Sequence, residues 1–513
     1  MLTAASADVV AFLRRSVRVA PRSIAVASPS GAIDYSQLMA RVDALAALLR
    51  NMLGPGGREP IAVVAEHDPA VPELYLGIMA AGHAVVPVST RLPDEAIARI
   101  VSRSGARVGI VSPEVADRMK GIAATAHTAR WIAYGNDPGR VSLPGSRMEL
   151  PAGTAMVCFT SGTTGEPKGV ILTHLNLVVH GMTAAIVYRN MGRNVNVNPM
   201  PLAHFAGASR VFISVVNAGA HVILPGFDPT SLCDAIAKWK GTHLVVGPTM
   251  VGDLLATELE RFDLSSLEIL VCGTAPLPMP HARQLVERMH CGIINGYGLT
   301  ESSALATSLG PEAHVRAIAE GDEEMLGSIG QAAPGVEMCI FDENNRPLGV
   351  GEVGQIALRG LKVSQGYLNN PVETAKKFMS DGWLLTGDQG RLLADDNVVI
   401  LGRLDDMIIS GGLNVQPGEV EIEAVQFPGL GQCAAFGVPS ERWGREVRLA
   451  VVPASGATLD AESVRQFLRT RLDPYKVPKQ VHVMDQLPRT PVGKVQRFRL
   501  AEQWGKGGAK GSG

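Results

Sequence analysis

Apolar and polar positions along the first 300 residues alternate between helical and strand-like spacing. Residues 74–88, LYLGIMAAGHAVVPV, predict a helix ended by Gly82 and then a strand, and residues 106–111, ARVGIV, predict another strand. From 221 to 296 the alternation is sharper, with strands at 221–226, 243–248, 267–273 and 292–298 separated by helical patterns. Strands that alternate with helices in this way predict a parallel sheet covered on both faces.

The pattern changes beyond residue 327. Residues 336–349 and 352–360 read as strands joined by a turn, which predicts a smaller β subdomain. A mixed pattern follows Arg403, with helices at 418–427 and 460–472 and strands at 433–437, 446–453 and 480–484. We therefore predict an α/β protein: a large N-terminal domain over 1–403, with parallel-sheet αβ units and the β subdomain, and a small mobile α+β C-terminal domain over 404–504. Residues 505–513 are expected to form a flexible tail.

Composition narrows the class of partner. Among 513 residues, 47 Lys plus Arg balance 49 Asp plus Glu, and the net charge of −2 gives no electrostatic reason to expect nucleic acid or an anionic membrane. Charged residues make up 19% and hydrophobic residues 46%, which excludes a disordered or coiled-coil chain. A small-molecule partner is the expectation, for a monomer or a homodimer.

The location follows from the cysteines and the apolar segments. The cysteines lie far apart and form no CxxC pair, so we expect reduced thiols in a cytoplasmic protein: Cys158, Cys233, Cys272, Cys291, Cys339 and Cys433. The N-terminal residues lack the pattern of a signal peptide. The uncharged stretch 170–188 approaches membrane length, but it contains His174, Asn176 and His180, so we predict no transmembrane helix and no integral membrane association.

Residues 158–170, CFTSGTTGEPKGV, combine a strand-like run with glycines, hydroxyls and one lysine. Glycines let backbone N–H groups turn towards an anion, hydroxyls add donors, and Lys168 adds a positive charge. This chemistry predicts a phosphate-binding loop. The Walker A spacing fails because Lys168 lies between Pro167 and Gly169, which disfavours a P-loop kinase or GTPase. The structural alternative is a flexible Ser/Gly linker.

The segment TSGTTGEPKG resembles the phosphate loop of the adenylate-forming (ANL) superfamily, which includes acyl-CoA and aryl-CoA ligases. Further matches follow in the family's order over nearly the whole chain: PLAHFAG at 201–207, NGYGLTES at 295–302, DGWLLTGD at 381–388, GRLDDMIISGGLNVQPGEVE at 402–421 and PRTPVGKVQR at 488–497. The resemblance implies an ATP-dependent carboxylic acid:CoA ligase. Its first half-reaction would form acyl-AMP and pyrophosphate, and its second acyl-CoA and AMP, by alternation of the two domains.

The resemblance also implies an ATP site with Mg²⁺ on Glu301. Tyr297 offers a flat face for a purine, and Asp388 can accept hydrogen bonds from ribose hydroxyls. Alone, Tyr297 would be read as core and Asp388 as a turn acid. The implied ATP-binding residues are Thr160, Ser161, Gly162, Thr163, Thr164, Lys168, Gly273, Thr274, Ala275, Pro276, Asn295, Gly296, Tyr297, Gly298, Thr300, Asp388 and Arg403.

Three positions are expected to serve catalysis and domain movement. Lys494 matches the family lysine that bridges the acid's carboxylate and the α-phosphate, whereas alone it would be read as a solvated surface lysine. His204 resembles the entrance between the acyl pocket and the nucleotide, and with Glu301 these are the catalytic candidates. Asp405 falls where the family has its hinge.

The CoA and acyl sites carry weaker signals. The resemblance suggests CoA contacts at Gly411, Gly412, Trp443, Lys476 and Lys479, but Leu413, Val477 and Arg445 depart from the family's usual residues. The expected acyl pocket is apolar or small, which suits aryl, cyclic or aliphatic acids: Phe205, Val211, Gly247, Gly273, Gly298 and Ala304. Arg210, in an apolar run six residues after His204, either meets a second polar or anionic group on the acid or is paired internally.

Two alternatives remain open at this point. The enzyme could be an acyl-AMP ligase that loads a separate carrier protein, a reaction that CoA-dependent AMP release would exclude. A chain of another class, an inactive ATP-binding regulatory protein, would release no pyrophosphate with any acid.

Overall fold

The computed structural model describes residues 7–54, 57–126, 129–135, 146–161, 166–189, 194–273, 277, 279–440, 442–454, 456–489 and 495–505. The chain divides into two compact units. The first comprises Met1–Met338, Ala357–Leu385 and Asp395–Asn397, and the second Cys339–Ile356, Thr386–Ala394 and Val398–Gly513. The predicted boundary between 403 and 404 stays a prediction.

Helices of the first unit are α1 (Val9–Val19), α2 (Tyr35–Leu53), α3 (Val71–Ala80), α4 (Asp94–Ser104), α5 (Ala116–Ala126), α6 (His174–Val187), α7 (Phe205–Asn217), α8 (Pro229–Trp239), α9 (Pro248–Leu255), α10 (Met279–Met289), α11 (Pro311–Glu320), α12 (Glu323–Leu326) and α13 (Pro371–Lys377). Those of the second unit are α14 (Pro417–Ala424), α15 (Ala461–Arg469) and α16 (Arg497–Gly505). None of the helices in the described part of the chain is long and apolar enough to cross a bilayer.

Two sheets of the described residues lie entirely within the first unit. The larger contains β1 (Ile24–Ser28), β2 (Gly31–Asp34), β9 (Val195–Asn198), β10 (Ala220–Ile223), β11 (His243–Val246), β12 (Ile269–Gly273), β13 (Gly292–Tyr297), β14 (Thr307–Leu309) and β15 (Gln331–Ala332). Its order is β15-β14-β13-β12-β11-β9-β10-β1-β2, parallel from β13 to β1. The alternation predicted over 221–296 is therefore confirmed.

The second sheet has the order β6-β5-β3-β4-β7-β8. Its strands are β3 (Pro60–Val64), β4 (Ala84–Val88), β5 (Val108–Val111), β6 (Arg130–Ala133), β7 (Thr154–Ser161) and β8 (Pro167–Thr173). Strands β3 and β4 are buried at every position, as expected of parallel strands covered on both faces. The largest hydrophobic cluster joins α1, α2, α3, α6 and α7 to both sheets, and Tyr35, Tyr75 and Phe212 are fully buried in it.

The strand-rich region begins at β16 (Val336–Phe341) and β17 (Val353–Gly360), followed by β18 (Leu384–Leu392) and β19 (Val398–Arg403), which pair antiparallel. The second unit then has β20 (Ile408–Ser410), β21 (Leu413–Val415), β22 (Leu430–Ser440), β23 (Gly444–Pro453) and β24 (Gln480–Val483) in one sheet. The β subdomain predicted beyond residue 327 and the mixed α+β character predicted beyond Arg403 are both confirmed. The sequence pattern missed the short hairpin of β20 and β21.

Candidate active site

The predicted phosphate-binding loop, within residues 158–170, connects the two strands of a hairpin. Strands β7 and β8 pair antiparallel, with Ser161 opposite Pro167 and Thr160 opposite Lys168. This register holds the strand ends that flank the loop at a fixed separation. Gly162, Thr163 and Thr164 lie outside the described residues.

Lys168 is held at the base of this loop by a carboxylate that sequence reasoning missed. Its Nζ lies 2.5 Å from Oε2 of Glu373 and 5.7 Å from the ring centroid of Tyr367. Hydrogen bonds from Lys168 and Lys376 lower the pKa of Glu373 to about 2. Asn370 caps α13 by accepting from the Glu373 backbone N–H at 3.2 Å, so the Asn-Pro-x-Glu pattern was the available signal.

Tyr367 links the loop lysine to Glu301. Its hydroxyl donates to Oε1 of Glu301 at 2.7 Å, and its buried ring packs edge-on against Phe378. The backbone around Tyr367 runs along β8, because Leu368 N–H donates to the Gly169 carbonyl at 2.7 Å. Sequence reasoning missed Tyr367, since its two partners lie 66 and about 200 residues away.

Several of the ATP-site candidates meet at the carboxyl ends of β12 and β13. Gly273 is paired with Gly296 across the two strands, and Tyr297 ends β13. A Cβ on Gly298 would lie 1.5 Å from the Ala304 carbonyl oxygen, so only glycine fits where the chain folds back. Thr300 and Glu301 follow in a 3₁₀ turn. This edge is where open α/β sheets bind ligands. Thr274, Ala275 and Pro276 lie outside the described residues.

Asn295, another of the ATP-site candidates, makes a hydrogen bond within the protein. Its side-chain amide is buried and donates to the Ser328 carbonyl at 3.2 Å. This contact fastens β13 to the segment after α12.

His204 forms the N-cap residue of α7, directly before the buried Phe205. Burial is the main cause that lowers its pKa, while Glu66 raises it and Arg91 lowers it. Its Nε2 is buried and has no hydrogen-bond partner among the described residues. His204 is therefore a neutral imidazole at neutral pH, suited to hydrogen bonding rather than to charge pairing.

The acyl-pocket candidates divide between two places. Phe205 and Val211 belong to the largest hydrophobic cluster, and Ala304 packs against it. Gly247 instead precedes α9 at the end of β11. Arg210 lies on α7, buried, with Nη2 3.4 Å from the Tyr188 hydroxyl.

Lys362 is a second buried cation in this region. It is fully buried and its Nζ donates to the Leu305 carbonyl. Burial lowers its pKa to about 7. Sequence reasoning did not single it out, because it stands in a polar loop segment.

Lys362 predicts an unusual pH dependence of stability. Its amine has a folded-state pKa near 7, well below that of a lysine in the unfolded chain. Burying the protonated amine therefore lowers the free energy of unfolding most below pH 7, and this destabilisation declines as pH rises towards 10. The quantity to measure is the melting temperature of the parent minus that of Lys362→Met. This difference should increase by on the order of a few degrees between pH 6 and pH 9.5. Lys376→Met, at an exposed lysine, is the control. If the difference in melting temperature does not change with pH, the lowered pKa of Lys362 is wrong.

In the second unit, Asp388 and Arg403 face each other across β18 and β19. Arg403 Nε lies 3.2 Å from Asp388 Oδ1, and the Asp388 side chain is 8% exposed. Asp388 is thus a strand residue rather than a turn acid. Asp405 follows β19 in a turn whose backbone hydrogen bonds are donated by Leu404, Asp406 and Met407.

Three of the CoA candidates come together. Gly411 N–H donates to the Trp443 carbonyl at 2.8 Å, and Lys479 Nζ lies 5.1 Å from the Trp443 ring. Gly412, with φ of +81°, completes the turn between β20 and β21. Lys476 instead pairs with Glu419 at 3.1 Å. Lys494 lies outside the described residues.

Comparison with known proteins matches both parts of the chain. Residues 13–368 match the family model described as AMP-binding enzyme, and residues 419–494 match the AMP-binding enzyme C-terminal domain. A feruloyl-CoA synthase from Amycolatopsis sp is 34% identical over 96% of this chain and 98% of its own length. An indoleacetate–CoA ligase from Aromatoleum aromaticum is 29% identical over 95% and 96%. The solved structure of ATP-bound MatB from Rhodopseudomonas palustris has a TM-score of 0.86 at 28% identity, covering 98% of this chain and 99% of that one.

Proposed function

The chain belongs to the AMP-binding enzyme family and is an AMP-forming acid:CoA ligase, and we propose which of its residues carry the two half-reactions. In the first, a carboxylate oxygen of the acid attacks the α-phosphorus of ATP and pyrophosphate leaves. In the second, the CoA sulfur attacks the acyl carbon, AMP leaves, and the thiol proton passes to water. The first step is needed because a free carboxylate resists thiol attack, whereas its mixed anhydride with AMP does not.

The connection from Lys168 through Tyr367 to Glu301 is the observation that carries the ATP-site proposal. Lys168 supplies positive charge beside the loop hairpin, and Glu301 lies at the carboxyl end of β13. Tyr367 contacts both side chains, so one residue connects the candidate for phosphate binding, Lys168, to the candidate for metal binding, Glu301. ATP phosphates entering this site would compete with Glu373 for Lys168.

Glu301 fits a magnesium ion held jointly with ATP. No cluster of three His, Cys, Asp or Glu side chains that could hold a metal occurs among the described residues. One carboxylate together with substrate phosphates is a usual arrangement for Mg²⁺, and the Tyr367 hydroxyl fixes the orientation of Glu301. When bound, Mg²⁺ would offset charge on the pyrophosphate leaving group.

The remaining roles follow the family resemblance. Asp388, oriented by Arg403, would accept hydrogen bonds from the ribose hydroxyls. His204 would separate the acyl pocket from the nucleotide as a neutral side chain. Lys494 would bridge the carboxylate and the α-phosphate, and Trp443 with Lys479 would receive CoA in the second half-reaction.

CoA is the proposed acceptor rather than a carrier protein. The relatives compared above are named as CoA ligases, which disfavours carrier loading. A cytoplasmic location is also proposed, since all six cysteines are free thiols that are buried or half-buried.

The test is a panel of aryl, arylacetic, aliphatic and dicarboxylic acids assayed with ATP, Mg²⁺ and CoA. We expect at least one acid to give thioester and AMP in equal amounts, with AMP turnover dependent on CoA. Trp443→Ala, at a CoA candidate, should keep the first-turnover pyrophosphate and lose most thioester. Pyrophosphate release without any CoA dependence would favour carrier loading, and no pyrophosphate with any acid would favour a regulatory protein.

A further inference from the structure

A buried layer of polar side chains lies on one face of the larger sheet of the first unit. Register places His221 of β10 and His243 of β11 opposite Asn196 of β9, so the three form one row across neighbouring strands. All three are buried. Tyr188, at the end of α6, contacts this row, because His243 Nε2 hydrogen-bonds the Tyr188 carbonyl at 2.8 Å. Arg210 of α7 lies next to it, with Nη2 3.4 Å from the Tyr188 hydroxyl.

Arg210 is the charged member of the layer and its hydrogen-bonding capacity is largely unused. It is only 6% exposed, and its guanidinium carbon lies 5.0 Å from the Tyr188 ring centroid. Within the described part of the chain, its buried Nε and Nη1 have no hydrogen-bond partner, and no carboxylate forms an ion pair with it. A buried guanidinium left in this condition is costly, and binding of an anion would relieve the cost.

The buried histidines near Arg210 supply no negative charge. Burial lowers the pKa of His180 well below its usual value and that of His221 to about 3, with the charge of Arg210 as a further cause. These imidazoles are therefore neutral. Glu268 is the carboxylate whose charge acts on the edge of the layer, where it raises the pKa of His243 against the larger effect of burial.

The layer extends to the predicted acyl pocket. The His180 ring lies 6.0 Å from that of Phe205, the residue after His204, and both ring nitrogens of His180 lack a partner among the described residues. Lys362 is a buried amine close enough for its charge, when it is protonated, to act on His180 together with that of Arg210. The layer thus places the unpaired nitrogens of Arg210 and His180 beside the Phe205 end of the predicted acyl pocket.

We propose that Arg210 binds a second anionic group at the distal end of the acid, so that the preferred substrate is a dicarboxylic acid or an acid of equivalent charge. This inference rests on the proposed ligase function and names its substrate class. A neutral acceptor such as a methoxyl or hydroxyl oxygen would use the N–H groups but would leave the buried charge uncompensated. An anion both accepts hydrogen bonds from the N–H groups and compensates the charge, and a planar carboxylate matches the two parallel N–H groups of the guanidinium.

The experiment compares matched acids on the parent enzyme. Aliphatic and phenyl-bridged dicarboxylates of increasing length are each paired with the half-amide, which has the same number of heavy atoms and no distal charge. Pyrophosphate release with hydroxylamine trapping of the acyl-adenylate gives kcat/KM for each. For at least one length, the dicarboxylate should exceed its half-amide by about tenfold to a hundredfold.

Variants then assign this preference to Arg210. Arg210→Met should reduce the ratio to about one, mainly by raising KM for the dicarboxylate more than KM for the half-amide. Arg210→Lys should restore part of the ratio. Arg107→Met removes another largely buried guanidinium, which lies just before β5 and pairs with Glu59, and should leave the ratio unchanged. Melting temperatures identify any variant that fails to fold, and the matched acids on the parent then decide.

Two results would overturn the inference. A parent enzyme that prefers half-amides or other uncharged acids at every length leaves the ligase function standing and removes the anionic substrate class. A dicarboxylate preference that persists in Arg210→Met assigns the preference to another group. If no acid of any class releases pyrophosphate, the ligase function fails as well, and that outcome is separate from the first two.

Discussion

Replacing Lys494 by alanine should lower the rate of adenylation about a thousandfold, while acyl-AMP supplied with CoA is still converted to thioester at close to the parent rate. Adenylation brings a carboxylate and a phosphate together, and a cation between them offsets their repulsion. At an effective dielectric of about 20, unit charges about 4 Å apart interact by about 4 kcal/mol, which corresponds to roughly a thousandfold in rate. Separate assays of pyrophosphate release and of thioester formation from synthetic acyl-AMP measure the two effects.

Asp405→Pro is the matched variant with the opposite expected phenotype. Proline would fix φ near −65° and restrict Leu404, so a hinge at this position would be locked. The turn itself should survive, since its backbone hydrogen bonds are donated by Leu404, Asp406 and Met407. We expect adenylation to be retained and thioester formation to be lost. If both half-reactions fall together in both variants, with lower melting temperatures, destabilisation explains the results. Adenylation at the parent rate in Lys494→Ala would show that the catalytic lysine is assigned wrongly.

Glu301→Gln should lower the rate of pyrophosphate formation by about a hundredfold to a thousandfold and raise the Mg²⁺ concentration needed for half-maximal rate. The amide keeps the shape of the side chain but removes the charge that attracts the metal. Tyr367→Phe should have a smaller effect, about tenfold in Mg²⁺ dependence, because it removes only the hydroxyl that orients the carboxylate.

Glu373→Gln provides the control for Glu301. Glu373 is another carboxylate of the same region, but it pairs with Lys168 and Lys376 instead of lying at the end of β13. Its neutralisation should leave the Mg²⁺ dependence unchanged. A Mg²⁺ titration of pyrophosphate release in all three variants makes the comparison. Equal Mg²⁺ curves for Glu301→Gln and the parent would exclude Glu301 as the metal ligand.

The family, the fold class and much of the element order could be predicted from sequence because their signals are local. The strand–helix alternation over 221–296 repeats within short windows, and burial of the sheet on both faces makes those windows apolar. The motif around Gly298 is similarly local, since the chain folds back on Ala304 six residues later and excludes any side chain. Such features need only the nearest part of the chain, so their residue patterns are readable without tertiary contacts.

Contacts between distant segments were decided only by the tertiary structure. Nothing local in the sequence shows that Tyr367 and Glu373 meet Lys168, which lies about 200 residues away; the Asn-Pro-x-Glu pattern indicates only a helix start. Arg210 could be seen to stand in an apolar run, but only the fold shows that no described carboxylate pairs with it and that Asn196, His221 and His243 form a polar row nearby. That row exists through the register of three strands, which is fixed by long-range packing. Side chains paired in this way can be far apart in sequence, so no local pattern records which of them meet.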